Sequence, residues 1–329
     1  MSSGQRVDGV LVQWGERLFY PSNRIVKADP LPRLDALTRR RAAVIRARIE
    51  ATVRRAPQVM VKVTGGGRGM GAIAAHFRYI SKNGRLDIED DRGVVRSGKE
   101  AMADLVDQWR YGGSLIPAEG YRREAFNIML SMPAGTDAGL LQKAAREFAQ
   151  AELAGHRYVM VLHEHQANPH VHLSVRAESA SGKRLNPRKA DLQRWRETFA
   201  EKLRGWGIDA EATRQAARGA RRNYDPLWRV NARREGRLRK EVGSLKAGKA
   251  SMASRAEAMM SWAQIMKALA ESDSVEDRKL AERIGAFVRG APFMAPRRGE
   301  RAADGAYQRA VDVTVGTPQN SRSGPDVSR

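Results

Sequence analysis

The stretch His163 to Arg176, HEHQANPHVHLSVR, carries four of the chain's six histidines, and its local conformation decides the fold. Upstream of it, His156 to Leu162 (HRYVMVL) is apolar and β-branched enough to read as a strand, and His170 to Arg176 alternates as a second one. The turn Glu164 to Pro169, with Asn168-Pro169 as its breaker, makes the pair a hairpin. Side chains on a strand point alternately to opposite faces. Val159, Val161 and His163 therefore share one face of the first strand, and His170, His172 and Ser174 one face of the second. A lone histidine is ordinarily a surface group or a satisfied core group. Three imidazoles converging on one face of a hairpin have few structural uses and suit a divalent metal. His165 lies already in the turn and reads as an orienting group behind the ligands.

The rest of the composition narrows the chemistry. The chain has 329 residues, enough for one good-sized domain with extensions or for two small ones, and a formal net charge of +22. Charge of that sign and size is drawn to polyanions, nucleic acid first, with solubility charge and anionic lipid surfaces as the competing readings. No apolar run is long enough to span a membrane and no signal peptide is read at the start, so a cytoplasmic protein without membrane insertion is expected. There is no cysteine, so a metal must take nitrogen or oxygen donors and no thiol nucleophile exists.

Moving outward towards the N-terminus, Gln58 to Val63 (QVMVKV) reads as a strand ending in Thr64-Gly65-Gly66-Gly67-Arg68-Gly69. The run lacks the Gly-Lys-Ser/Thr of a nucleotide-triphosphate loop and fits no dinucleotide fingerprint, so a turn passing close to backbone or DNA is expected, and no nucleotide cofactor. A helix over about Gly71 to Lys82 carries Ile73, Phe77 and Ile80 on its core stripe and ends at Asn83-Gly84. Tyr79 falls off that stripe, as a boundary packing residue or as a presented hydroxyl. Residues 1–57 read as a basic arm, with a short strand at GVLVQW (residues 9–14) and an arginine-rich helix near Leu34 to Arg55. Arg85 to Gly93 reads as a charged turn, followed by a helix holding Trp109.

Towards the C-terminus, Arg123 to Met132 reads as a strand. Thr136 or Asp137 then caps a helix Leu140 to Leu153, and Asn186 or Asp191 opens a helix to Trp206 with Leu192, Trp195, Phe199 and Leu203 at helical spacing. A basic helical extension is expected over residues 220–290, with helices Met252 to Ser272 and Val275 to Val288, and a disordered tail over 291–329. Among the basic residues, Tyr224 is the better candidate for stacking on a base, and Trp195 for core packing.

Several of these pieces together resemble one family. The chain is similar to plasmid mobilisation relaxases of the HUH endonuclease superfamily, in the branch that includes the T-DNA border endonuclease. Phe77 to Gly84 (FRYISKNG) resembles the segment around the nucleophilic tyrosine, Asn127 to Thr136 (NIMLSMPAGT) the second motif, and His163, His170 and His172 the three metal-binding histidines. Gly207-Ile208-Asp209 and Arg214 to Gly219 resemble the segment that closes the domain. The resemblance implies an α+β fold with a central antiparallel β-sheet flanked by helices, the relaxase domain occupying residues 58–219. It departs in one place: the family has an acidic residue two positions after the first histidine, where this sequence has His165, with Glu164 beside it.

What the resemblance implies about function is a DNA transesterification. Tyr79 attacks a phosphodiester at a plasmid transfer origin, leaving a 5′-phosphotyrosyl link and a free 3′-hydroxyl. Ser131 engages DNA near the cleavage site. The ion would be magnesium or manganese, with zinc the alternative that a histidine-only site suggests. Partners would be single-stranded or supercoiled DNA at the origin, accessory relaxosome proteins and a type IV secretion coupling protein. A phenol with a reference pKa of about 10 needs help to lose its proton, and His165, Glu164 and Asp87 are the candidates. Arg68, Arg78, Lys82, Arg85, Arg221, Arg222 and Tyr224 are the expected DNA contacts. Two rivals stand beside this expectation. One is a non-catalytic DNA-binding protein on the same scaffold. The other is a rolling-circle replication initiator, disfavoured because here the tyrosine precedes the histidines.

Overall fold

A computed structural model describes residues 3–20, 36–165, 168–220, 232–233, 235–238 and 248–292. Arg221, Arg222, Tyr224 and nearly all of the expected tail lie outside the described residues. The protein is mixed α+β and divides into two compact units, one of residues 55–212 and one of residues 1–54 with 213–329.

The 55–212 unit is built on a six-stranded antiparallel sheet in the order β1-β4-β6-β5-β2-β3. The strands are β1 Met60–Gly65, β2 Ile88–Asp90, β3 Val95–Arg96, β4 Ala125–Ser131, β5 Tyr158–His163 and β6 His170–Arg176. The histidine hairpin is β5 and β6, paired so that His163 faces His170 and Val161 faces His172. Alternation divides the sheet's two faces as expected. Met160, Val171, Leu173 and Val175 pack against Leu141 and Phe148 of α5 (Ala138–Glu152) and Trp195, Phe199 and Leu203 of α6 (Lys189–Gly205). Val159 and Val161 pack against Ile73, Phe77 and Ile80 of α3 (Met70–Ile80) and Leu105 and Trp109 of α4 (Lys99–Tyr111). Each such buried Leu or Phe contributes roughly 1.5–3 kcal/mol, enough in sum to hold polar side chains between sheet and helix. Asp137 caps α5 by accepting from the Leu140 amide, and Trp195 is a core residue set edge-on to Phe148.

One local expectation is corrected. The charged segment after Arg85 leads through strands β2 and β3, because its buried acids are paired, Glu89 with a distant arginine and Asp90 with arginines nearby. Buried Glu89 accepts from Arg146 Nε at 2.5 Å, and Asp90 from Arg96 at 2.7 Å. The glycine run packs against backbone. A Cβ on Gly69 would lie 2.5 Å from the Ala118 carbonyl oxygen, and the first amides of α3, Met70 and Gly71, donate to the Pro117 and Ala118 carbonyls. Those amides are therefore used within the chain.

The second unit joins the two ends of the sequence. GVLVQW is not a strand but part of helix α1 (Ser3–Phe19), whose Val7, Leu11, Trp14 and Leu18 repeat at helical spacing and outweigh a short β-branched run. The arginine-rich helix α2 (Ala36–Val53) buries the narrow stripe Ala42, Ile45 and Ile49. Its Arg48 lies over the rings of Phe19 and Tyr20 at 5.1 and 4.8 Å. Both helices share a core with Trp262, Ile265 and Leu269 of α7 (Lys249–Ala270) and Leu280, Ile284 and Phe287 of α8 (Val275–Arg289). Residues expected as a separate arm and a separate extension thus contribute to one core. Among the described residues no helix is long and apolar enough to cross a membrane.

Candidate active site

The site forms where the end of β5, the start of β6 and the last turn of α3 meet. His163, His170 and His172 are all buried, and each offers a ring nitrogen within 4.8 Å of the others. Their ring centroids are 4.7 to 5.0 Å apart. Two of the rings are oriented by backbone carbonyls: His163 Nε2 lies 2.6 Å from the Ile80 oxygen and His170 Nδ1 3.0 Å from the Asn168 oxygen. A ring N–H donated to a carbonyl leaves the other nitrogen as a lone-pair donor aimed elsewhere, the usual arrangement of a metal-binding imidazole. His163 Nδ1 and His172 Nδ1 are buried with no hydrogen-bond partner among the described residues. Burial holds His163 below the ordinary imidazole range and pushes His172 down to about 3, so both are neutral near pH 7. Neutral, orphaned and convergent nitrogens fit a divalent cation.

Tyr79 is presented at this cluster. It is 70% exposed, off the buried stripe of α3, and its ring stands 6.4 Å from His172 at 80°. Because Ile80, the next residue, supplies the carbonyl that holds His163, the helix bearing the phenol and the histidine hairpin are tied together one residue from the hydroxyl. Tyr79, Lys82, Asn83, Arg85, His163 and His165 line a single open cavity of about 440 Å³. Lys82, Asn83 and Gly84 follow α3 with φ of 51°, 59° and 82°, three consecutive left-handed residues. Such a run is costly for Lys and Asn and is retained where surrounding structure fixes it, here through Asn83 N to the Arg78 carbonyl and Gly84 N to Ser81 Oγ.

The other expected residues are placed less closely. Ser131 is the strand neighbour of His170, but it is buried and its hydroxyl donates to the Pro169 carbonyl at 3.1 Å. Arg78 and Arg68 are exposed, on α3 and in the loop before it, and neither lines the cavity. Glu164 is exposed beside His165, and Asp87 is not among the cavity residues. Tyr158 is 4% exposed, and burial together with Asp91 and Glu89 raises its phenol to about 12, which suits packing rather than attack. One residue escaped the sequence reading. His76, one turn before Tyr79, has its ring 6.2 Å from that of Tyr79 and 6.3 Å from that of His172, with Nε2 buried and unpartnered among the described residues. The only signal for it is its i, i+3 relation to Tyr79.

Residues 79–208, which include the helix-borne tyrosine and the three-histidine cluster, match the family model described as relaxase, MobA/VirD2-like, nuclease domain. Within the sheet unit the match runs from Tyr79 in α3 through the histidine hairpin to the residues just after α6. Among characterised proteins, the chain is similar to the T-DNA border endonuclease VirD2 of Rhizobium radiobacter, 25% identical over 184 residues. That similarity covers 49% of this chain and 43% of the relative, so the chain matches less than half of the relative's length.

Proposed function

We propose that this protein is a DNA strand transferase that nicks one strand at a plasmid transfer origin through Tyr79. The observation that carries the reading is the placement of an exposed phenol 6.4 Å, ring to ring, from His172 of a buried imidazole cluster. The Tyr79 oxygen attacks phosphorus and forms the tyrosyl–phosphate bond. The bond to the 3′ oxygen breaks, the phenolic proton passes to a base, and the departing 3′ oxygen takes a proton. Bond energy is conserved, so the strand can be rejoined without a nucleotide cofactor. His165, which lines the cavity, is a candidate to take the proton, as is the exposed Glu164 beside it. His163, His170 and His172 would hold a divalent cation, which supplies positive charge against the phosphate oxygens as charge builds in the transition state.

Lys82 and Arg85, in the cavity wall, take the phosphates flanking the scissile bond, and Arg68 and Arg78 extend the contact to the exposed faces nearby. Ser131 acts from behind His170 by keeping the Pro169 carbonyl, and so the hairpin turn, in place. Arg221, Arg222 and Tyr224 are further DNA contacts in this reading. The protein works in the cytoplasm with accessory relaxosome proteins and a type IV secretion coupling protein that receives the attached strand.

The test is a supercoiled plasmid carrying the cognate origin, incubated with the protein and divalent metal. Relaxation with a covalent adduct mapped by mass spectrometry to Tyr79, and loss of that adduct in Tyr79→Phe with DNA binding retained, supports the proposal. An adduct that survives in Tyr79→Phe removes the tyrosine from its role. Binding without nicking under every divalent ion leaves only the non-catalytic DNA-binding reading.

A further inference from the structure

Five of the chain's six histidines, His76, His163, His165, His170 and His172, gather in one patch, and only His156 stands apart, bonded to the Arg176 carbonyl. We infer that His165 is a fourth nitrogen donor to the ion held by His163, His170 and His172, so that the site takes a borderline ion, zinc foremost, in preference to magnesium. The inference rests on the proposed function only for the presence of an ion at the triad, and it passes the proton-accepting role from His165 to Glu164.

The geometry supports a ligand more than a support. The His165 ring centroid lies 5.2 Å from that of His163, close to the 4.7 to 5.0 Å that the three buried rings keep among themselves. Its ring nitrogens lie outside the 4.8 Å set, but it is exposed and lines the same cavity, on the open side of the cluster. The orienting role first expected of it is already filled, because the Ile80 carbonyl holds His163 and the Asn168 carbonyl holds His170.

Donor chemistry then fixes the class of ion. Magnesium prefers oxygen ligands and keeps its waters, whereas imidazole suits zinc, nickel and copper. Among the described residues no carboxylate belongs to the triad or to the cavity lining, and the chain has no cysteine to offer sulfur. A site with only nitrogen donors from the protein has little to offer magnesium.

The experiment strips the full-length protein of metal and titrates it with zinc, manganese and magnesium against a competing chromophoric chelator, with cobalt absorption as the spectroscopic readout of donor number. The wild type should bind one zinc per chain far more tightly than manganese. His165→Ala should weaken zinc by at least about tenfold, leave manganese nearly unchanged and alter the cobalt spectrum. His165→Gln serves as the second variant if the alanine protein does not fold by circular dichroism. Equal zinc affinity and the same cobalt spectrum in wild type and variant overturn the fourth-ligand assignment while the proposed function stands. Absence of any divalent binding, in wild type as in a His163→Ala control, defeats the triad itself and the proposed function with it.

Discussion

His172 is a buried imidazole on the central strand, and its depressed proton affinity has a consequence for stability as well as for metal binding. Burial, reinforced by the neighbouring His163 and His170 rings, lowers it from 6.5 to about 3, and burial lowers His163 and His76 in the same direction. The unfolded chain takes up protons at these sites as pH falls below about 6.5, while the folded chain does not until about 3 for His172. Their contribution is therefore fully present above pH 6.5 and is lost progressively on acidification. The metal-free protein should show a melting temperature that falls from pH 7 to pH 4, and His172→Gln should flatten that slope; an unchanged slope in the variant would show that the ring is not buried neutral. His76 has a different part to play. Set beside both Tyr79 and His172, at 6.2 and 6.3 Å ring to ring, it limits where the phenol ring can turn, so His76→Ala should cut the nicking rate by roughly 10- to 100-fold with little change in DNA affinity. His76→Phe, which keeps the shape and removes the unpartnered nitrogen, should retain most of the rate and melt no lower. Equal loss in both variants would transfer the role from the ring's shape to its nitrogen.

At the level of elements, α3 and its terminal turn decide whether phenol and imidazoles meet. Gly84 has φ of 82°, and a Cβ there would stand 2.7 Å from the Gly98 backbone carbon, a neighbour that cannot rotate away. Gly84→Ala should cost about 1–3 kcal/mol, read as a lower denaturant midpoint, and should reduce adduct formation further than stability alone explains, because Lys82 and Tyr79 leave their positions with the turn. A variant as stable as wild type would mean that the left-handed run is not enforced. The histidine hairpin, α3, α5 and α6 were legible in the sequence because each repeats apolar residues at its own period, and strand alternation alone put three imidazoles on one face. Strands β2 and β3 were not legible. Their acids look like a solvated turn until Arg146, 57 residues from Glu89, is known to lie beside it. Ser131 was legible as a neighbour of the site, but the partner of its hydroxyl depends on the turn geometry at Pro169, which no periodicity encodes.

For the whole molecule, the division into units follows packing and not the order of the chain. Val7, Leu11, Leu18 and Phe19 of α1, and Ile45 and Ile49 of α2, share their core with Trp262, Ile265, Leu269, Ile284 and Phe287, residues more than two hundred positions away. The indole of Trp262 also donates to the Ala217 carbonyl at 2.9 Å, and Arg214 donates to the Leu18 carbonyl at 2.7 Å, so both ends of the unit are stitched to the segment that follows the sheet domain. Composition alone suggested an arm and an extension because each half shows one narrow apolar stripe, and neither stripe identifies its partner. The consequence is specific. Truncation after Gly219 removes α7 and α8 and exposes the apolar faces of α1 and α2, so that protein should lose helical signal beyond the deleted residues and aggregate. Removing residues 1–54 together with everything from Thr213 onward keeps the sheet with both its packed faces, and that fragment should stay soluble, keep the fold of the hairpin and bind metal. Circular dichroism and size-exclusion chromatography on the two proteins check it. A soluble, fully helical product from the first truncation would show that α1 and α2 do not depend on the C-terminal helices, and the shared core would then not be what holds the unit together.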